Sequence, residues 1–218
     1  MPEDALTRII VSLPVFLLAI VLHEVAHGYV AYLCGDDTAK RAGRLTLSPL
    51  SHLDPIGTIF FVVSTLSGVG FGWAKPVPVS LERLRHPGRD DVFVTLAGPA
   101  ANGAQAVAWA LLFRLALSNL AVQTLSPSLL QALLGFFLIG VLVNLGLLVF
   151  NLLPIPPLDG SHVAARLLGI RDPYLIGRLA PLGLIALLLF MRTPAWDALW
   201  RVVVDPLVAL LIGSPLGA

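Results

Sequence analysis

The residues with the clearest chemical potential in this sequence are His23, Glu24 and His27, which follow one another within about one helical turn. Because residues four apart lie on one face of a helix, the two imidazoles can bind the same metal ion. Glu24 lies about 100° round the helix from His23, so its carboxylate can work beside the metal without binding it. The spacing H-E-x-x-H is the ligand and base arrangement of zinc-dependent hydrolysis.

The setting of this motif is apolar, since residues 9–22 immediately before it carry no charge. A charged side chain in the middle of a membrane costs about 2.5–3.5 kcal/mol on insertion scales. Three ionisable groups beside such a segment therefore need a functional reason. We favour metal binding by His23 and His27 over the alternative of ordinary polar surface residues.

The composition is that of a membrane protein. Hydrophobic residues make up 57% of the 218 residues and charged residues 12%, whereas soluble domains carry about 25% charged residues. The formal net charge of +1 gives no basic surface for nucleic acid. The single cysteine excludes an intrachain disulfide and a cysteine-rich zinc site.

The apolar segments predict an all-α polytopic membrane protein with five or six transmembrane helices in one membrane-embedded domain, residues 1–218. Its core, 8–165, would be a catalytic three-helix unit with a re-entrant loop, and 174–212 would add further helices. The stretch 55–70 is short and interrupted by Gly, Ser and Thr. We expect it to enter and leave on one side of the membrane, with a full crossing as the alternative.

The loop charges predict the orientation. If 55–70 does not cross, the loops 34–91 and 155–178 share one side, and that side holds ten of the lysines and arginines. By the positive-inside rule this side is cytoplasmic and the N-terminus lies outside.

Prolines at alternate positions mark residues 72–79 as an extended edge strand, because proline cannot continue a helix and removes ladder donors from one edge only. Such an edge near the motif could bind a substrate by strand addition. We predict that Trp73, Lys75 and Val77 contact the substrate, with a simple proline-stiffened loop as the alternative.

A catalytic zinc needs a third protein ligand and an open position for water. Asp159 is the leading candidate, because it follows a rigid P-I-P-P-L run at the end of a long apolar segment. The alternative for Asp159 is an ordinary turn aspartate before a glycine. The other candidates for the third ligand are His52, Asp54, His86, His162 and the exposed acids.

Three motifs together resemble the site-2 protease family of intramembrane zinc metalloproteases, in its short type without a PDZ domain: H-E-x-x-H at 23–27, G-P-x-x-N at 98–102 and N-x-x-P-x-P-x-L-D-G at 151–160. The resemblance covers about residues 15–165. It implies that Asp159 is the third Zn²⁺ ligand and that Asn151 stabilises the oxyanion or positions the substrate. It also implies that Asn102 lines the core, where we predict substrate binding.

The expected function is hydrolysis of peptide bonds in or near transmembrane segments of other proteins, with Glu24 as general base. The expected partners are transmembrane protein substrates and the lipid bilayer, with no nucleic acid, in a prokaryotic plasma membrane. One alternative is a catalytically silent relative that binds membrane helices, and another is a metal transporter. The sequence makes no prediction about oligomeric state.

Overall fold

The computed structural model describes residues 5–66, 72–170, 172 and 175–213. Within these ranges the secondary structure is helical, and the β-structure consists of one isolated antiparallel bridge between Leu53 and Ala74. The chain forms two compact units, residues 1–94 and 95–218. The predicted all-α membrane class is thereby confirmed in its helical part.

The first unit is built on a long apolar helix. Its elements in chain order are α1 (Ala5–Leu33), α2 (Thr38–Arg41), a 3₁₀ turn (Pro49–Ser51), α3 (Pro55–Leu66), a second 3₁₀ turn (Leu81–Arg83) and the start of α4 (Pro87–Ser118). Helix α1 packs against α2 and α3. Its contact with α3 includes a stacked pair of rings, Phe16 and Phe61, whose centroids are 4.0 Å apart.

Helix α3 is short, with one buried face and one exposed face. The Asp54 side chain caps it by accepting a hydrogen bond from the Gly57 N–H (2.7 Å). Its 12 residues extend about 18 Å, well under the roughly 30 Å of a bilayer core. One face is buried, and the opposite face exposes large apolar side chains at Ile56, Ile59, Val63 and Leu66. Residues 67–70 of the predicted re-entrant stretch lie outside the described residues.

The second unit continues α4 and adds six further helices. These are α5 (Leu120–Gln123), α6 (Pro127–Asn151), α7 (Asp159–Leu167), α8 (Leu175–Phe190), α9 (Pro194–Leu199) and, after a π-helical turn (Trp200–Val204), α10 (Asp205–Ile212). Ser126 accepts from the Leu129 N–H at the start of α6, where Pro127 takes the first helical position. The core joins α4, α6 and α10 through Phe113, Val141 and Val208.

Two buried asparagines connect α4 to α6. Asn102 and Asn144 both have 0% exposure. Asn102 Nδ2 donates to Asn144 Oδ1 (3.0 Å), and Asn144 Nδ2 donates to the Gly140 carbonyl one turn earlier (2.9 Å). In an apolar environment such a pair fixes the register of two helices, because a slipped register leaves polar groups unpaired.

Three described helices are long and apolar enough to cross a membrane: Ile9–Leu33, Pro87–Ser118 and Pro127–Asn151. A fourth span results if Leu175–Phe190 and Pro194–Ile212, which meet at a bend of 78°, are counted together. The structure supports a membrane protein on these grounds. Five or six spans and the re-entrant segment stay predictions.

We expect Asn102→Ala to lower the stability of the protein in detergent by about 0.6–2 kcal/mol, the range for interhelical hydrogen bonds in membranes. The reason is that Asn144 Oδ1 loses the donor from Asn102. Thermal unfolding of both single variants and of the Asn102→Ala/Asn144→Ala double variant measures the coupling between the two residues. Additive losses would contradict a direct role for the pair.

Candidate functional site

His23 and His27 lie on one face of α1, as the spacing predicts. Their Nε2 atoms are 3.0 Å apart and their rings meet edge to face. His23 is buried and His27 is half-buried. Two imidazole nitrogens at this separation point toward a common centre, which is the geometry that a bridging proton or a shared metal ion requires.

A carbonyl from the start of α4 orients the second histidine. His27 Nδ1 lies 2.7 Å from the Val94 carbonyl oxygen. A carbonyl can only accept, so Nδ1 carries the proton and Nε2 keeps its lone pair toward His23. Histidines that bind metals usually donate their other ring N–H in this way, which fixes the tautomer and the ring orientation.

Asp159 is the first residue of α7 and follows an irregular loop that leaves α6. Leu158 before it is extended, and the Ser161 side chain donates to the Leu158 carbonyl (2.6 Å), which closes the first turn. Gly160 is required here, because a Cβ would lie 2.3 Å from the Leu152 carbonyl oxygen. In the D-G pair, Asp159 supplies the carboxylate, and Gly160 allows the backbone contact with Leu152 that holds the carboxylate in place.

The three predicted ligands are divided between the two units: His23 and His27 belong to the first and Asp159 to the second. In a tetrahedral zinc site, with Zn–N bonds of about 2.0–2.1 Å, two nitrogen ligands lie about 3.3 Å apart. The separation of 3.0 Å between the Nε2 atoms fits that arrangement with a small adjustment. Two imidazoles and one carboxylate also form a donor set that zinc takes in hydrolases.

Glu24 is held by the backbone of the extended segment. Its Oε2 accepts a hydrogen bond from the Val77 N–H (2.8 Å). The Val77 side chain is buried against α1 at Gly28, where a Cβ would come within 2.9 Å of Val77 Cγ1. Gly28 thus allows this segment to approach α1 one turn after Glu24. Sequence reasoning did not use this glycine, although a glycine inside a helix signals close packing.

The predicted edge strand at 72–79 is wrong as a strand, because its hydrogen bonds go to several different partners. The Lys75 N–H donates to the His52 carbonyl (2.8 Å), and the Lys75 carbonyl accepts from Arg44 Nη2 (2.7 Å). At the far end the Ser80 N–H donates to the buried Asp36 carboxylate (2.6 Å). No described strand lies beside this segment, which forms one isolated bridge at Ala74 and is held through the backbones of Lys75, Val77 and Ser80.

The predicted substrate contacts on this segment differ in exposure. Trp73 packs against the Phe60 ring, with centroids 5.4 Å apart, and is half-buried. Val77 is buried, whereas Lys75 is exposed together with Pro76. Their roles in substrate binding stay predictions.

The side-chain amides of Asn151 and Asn102 both donate hydrogen bonds within the helices: Asn151 to its own helix and Asn102 to the neighbouring helix. Asn151 Nδ2 donates to the Leu147 carbonyl of α6 (3.0 Å), and Asn102 donates to Asn144. The predicted roles of Asn151 at an oxyanion and of Asn102 in substrate binding therefore involve amides that already have partners here. Both roles stay predictions.

Two of the other candidate ligands, His52 and Asp54, have structural contacts. The imidazole of His52 is fully buried and its Nε2 donates to the Thr46 carbonyl (2.8 Å). Asp54 caps α3, and His162 lies on α7. Burial raises the pKa of the Cys34 thiol and the Asp90 carboxylate raises it further, so this cysteine is protonated at neutral pH and is a poor metal ligand.

Comparison with curated proteins finds similarity to two bacterial proteins. The chain is 44% identical over 147 residues to "Putative zinc metalloprotease YwhC" of Bacillus subtilis, an alignment that covers 67% of this chain and 64% of that protein. It is 33% identical over 147 residues to "Putative zinc metalloprotease Rip2" of Mycolicibacterium smegmatis, which covers 66% of this chain and 52% of that protein.

The chain thus spans less than two thirds of the length of the curated relatives it matches. No family model matches the chain, and no solved structure matches it.

We expect Val77→Pro to impair the chemistry attributed to Glu24, because proline removes the N–H that donates to Glu24 Oε2 while it keeps an apolar ring. Loss of a hydrogen bond to a charged group costs about 1.5–3 kcal/mol, which corresponds to a fall in kcat of roughly 10- to 100-fold if it is lost in the transition state. Steady-state kinetics on a transmembrane peptide measures this fall.

The matched control is Val77→Ala, which keeps the N–H and removes most of the side chain. Because its N–H still donates to Glu24, it should keep kcat close to the wild-type value, and loss of a side-chain contact with substrate should raise KM instead. If the alanine variant loses as much activity as the proline variant, the side chain and not the N–H supports Glu24.

Proposed function

We propose that this chain is an intramembrane zinc endopeptidase of the site-2 protease type, which hydrolyses peptide bonds in or near transmembrane segments of other membrane proteins. The observation that carries the proposal is the pair His23 and His27, whose Nε2 atoms are 3.0 Å apart, with Glu24 held by the Val77 N–H on the same helix. Asp159 is the proposed third ligand. The names of the two curated relatives support a zinc metalloprotease, and the three apolar helices support a membrane location.

The three ligands would hold zinc and leave its fourth position open. Zinc in such a site lowers the pKa of a bound water toward about 7 and polarises a carbonyl group. Glu24 accepts the proton of the attacking water and passes it to the leaving amine. The Val77 N–H keeps the Glu24 carboxylate in place for this transfer. Asn151 would donate to the developing oxyanion after its amide leaves the Leu147 carbonyl.

The apolar length of α1 supports a substrate that is itself a membrane segment. The window from Ile9 to Leu33 is apolar over 25 residues and contains both histidines. A site at that depth meets peptide bonds of transmembrane helices, whose carbonyls are hidden in i→i−4 hydrogen bonds. The substrate must therefore be drawn out locally into an extended form before cleavage.

The extended segment 72–80 is the candidate site for holding the unwound substrate, with Trp73, Lys75, Val77 and Asn102 as the proposed substrate-binding residues. It lies against Glu24, to which the Val77 N–H donates, and the Lys75 carbonyl accepts from Arg44 Nη2. The protein would sit as a multi-pass protein in a prokaryotic plasma membrane, with this segment and the basic loops on the cytoplasmic side.

We expect Glu24→Gln to retain zinc and to lose cleavage by about 10²- to 10⁴-fold, the usual contribution of general acid–base catalysis. The glutamine keeps the shape and the acceptor for the Val77 N–H but cannot take a proton. The measurement is cleavage of a transmembrane peptide in detergent, with zinc quantified by elemental analysis on the same preparation.

Glu82→Gln is the matched control, because Glu82 is exposed at a 3₁₀ turn, and it should cleave as wild type. Asp159→Asn and His23→Ala should instead lower bound zinc. Cleavage by Glu24→Gln at the wild-type rate would overturn the mechanism. Zinc binding without cleavage in the wild type would favour a silent relative.

Single cysteines test the re-entrant arrangement of 55–70. In a Cys34→Ser background, cysteines replacing Leu50, Arg85 and Leu120 occupy exposed positions before α3, after the extended segment and between α4 and α6. We expect a membrane-impermeant thiol reagent applied to oriented vesicles to label positions 50 and 85 from one side and position 120 from the other. Labelling of 50 and 85 from opposite sides would mean that the stretch crosses.

A further inference from the structure

We propose that Gly183 of α8 is a positioning residue for Asp159: α8 braces the loop that presents this carboxylate, and the brace requires a glycine at 183. The inference rests on the proposed role of Asp159 as a zinc ligand. It assigns to the C-terminal helices, which the sequence suggests are additions to the catalytic core, a part in the metal site.

The contact itself is between backbones. A Cβ at Gly183 would lie 1.9 Å from the Pro156 carbonyl oxygen and 2.7 Å from the Pro156 carbonyl carbon. No side chain fits in that space, so α8 lies directly on the peptide group of Pro156. Pro156 is three residues before Asp159, in the middle of the loop that connects α6 to α7.

The loop is therefore fixed from two directions. Gly160 allows the first turn of α7 to meet the Leu152 carbonyl at the start of the loop, and Gly183 allows α8 to meet its middle. Three prolines, at 154, 156 and 157, limit the backbone freedom that remains. A carboxylate at the end of a loop held in this way has little freedom of position.

The placement of α8 is itself determined by packing. Its buried residues, Ile176, Gly183 and Leu187, share one face, whereas Leu182 and Ile185 are exposed. Beside the glycine, α8 and the loop border a cleft of about 260 Å³. Its lining residues are Pro154, Ile155, Pro156, Leu179, Leu182, Gly183 and Ala186.

Aromatic rings connect the end of α8 to the end of α6. Trp196 meets Phe190 edge to face at a centroid distance of 5.9 Å and Phe150 at 6.3 Å. Phe150 is next to the last residue of α6, so the cluster fixes α8 relative to the point where the loop begins. Helix α8 therefore contacts the loop at two places: Gly183 meets its middle at Pro156, and Phe190, through Trp196, is connected to Phe150 where the loop begins.

The test compares Gly183→Ala with Gly177→Ala. Gly177 lies in the same helix, nearly two turns earlier, and a Cβ there meets nothing within 4 Å. Both variants gain the helix propensity of alanine, so only the contact at Pro156 differs. We expect Gly183→Ala to weaken zinc binding by about 10- to 100-fold, as loss of an outer support does at other metal sites, and Gly177→Ala to bind as wild type.

Two further readouts separate positioning from general structural damage. The visible spectrum of the cobalt(II)-substituted protein should change in Gly183→Ala and not in Gly177→Ala, because it reports the ligand set and its geometry. At saturating zinc, kcat should fall while KM stays within about twofold, because the substrate site is not moved.

A second variant covers the case in which Gly183→Ala does not fold. Leu179→Ala removes a wall of the cleft beside the loop without adding an atom, and it should also weaken zinc binding, by a smaller factor than Gly183→Ala.

Wild-type zinc affinity and an unchanged cobalt spectrum in Leu179→Ala and in any folded Gly183→Ala protein would overturn this inference, while the proposed function would stand. If the wild-type protein itself bound no zinc, or bound zinc without Asp159, the proposed function would fail instead.

Discussion

Polar side chains on an apolar helix each need a hydrogen-bond partner, and much of this structure supplies such partners. His23, Glu24 and His27 lie on α1, whose apolar window includes both histidines. His27 donates to the Val94 carbonyl, and Glu24 accepts from the Val77 N–H. Without such partners these groups would pay a desolvation cost of several kcal/mol. The partners also set which atoms are left to bind a metal or take a proton.

Backbone partners of this kind need backbones to approach closely, and small residues make that possible. Gly28 admits Val77 to the surface of α1, and Gly160 admits the first turn of α7 to the loop before it. The same glycines would be weak points in a soluble helix, where each costs about 1 kcal/mol relative to alanine. Here that cost is offset by contacts that a side chain would prevent.

The sequence was sufficient to predict what depends on local periodicity. The i, i+4 spacing of His23 and His27 predicts their shared face, and the N-x-x-P-x-P-x-L-D-G run places Asp159 just after a long apolar helix. The choice of Asp159 as the predicted third ligand required the family resemblance, because His52 and His162 were also open. The structure shows His52 donating to the Thr46 carbonyl six residues earlier, a choice that no spacing rule contains.

What the sequence did not predict are contacts between segments distant in the chain. The Val77–Glu24 bond joins residues 53 apart, and the Gly183–Pro156 approach joins residues 27 apart. Alternating prolines indicated that 72–79 is not helical, as the structure shows, but they could not tell a strand from a segment held by single contacts. A strand needs a neighbour, and the partners of this segment are a carbonyl, a guanidinium and two carboxylates.

The same prolines decide what the outer edge of that segment can offer. In extended backbone the N–H groups of residues two apart point the same way. The N–H groups of Lys75 and Val77 are used inside the protein, at His52 and Glu24. Pro76 and Pro78, which would supply the opposite edge, have no N–H. Between Pro76 and Pro78 that edge can therefore accept hydrogen bonds but cannot donate them, which limits its pairing with other strands. A substrate of the proposed kind would have to supply the donors, and the N–H groups of an unwound helix would be available for this.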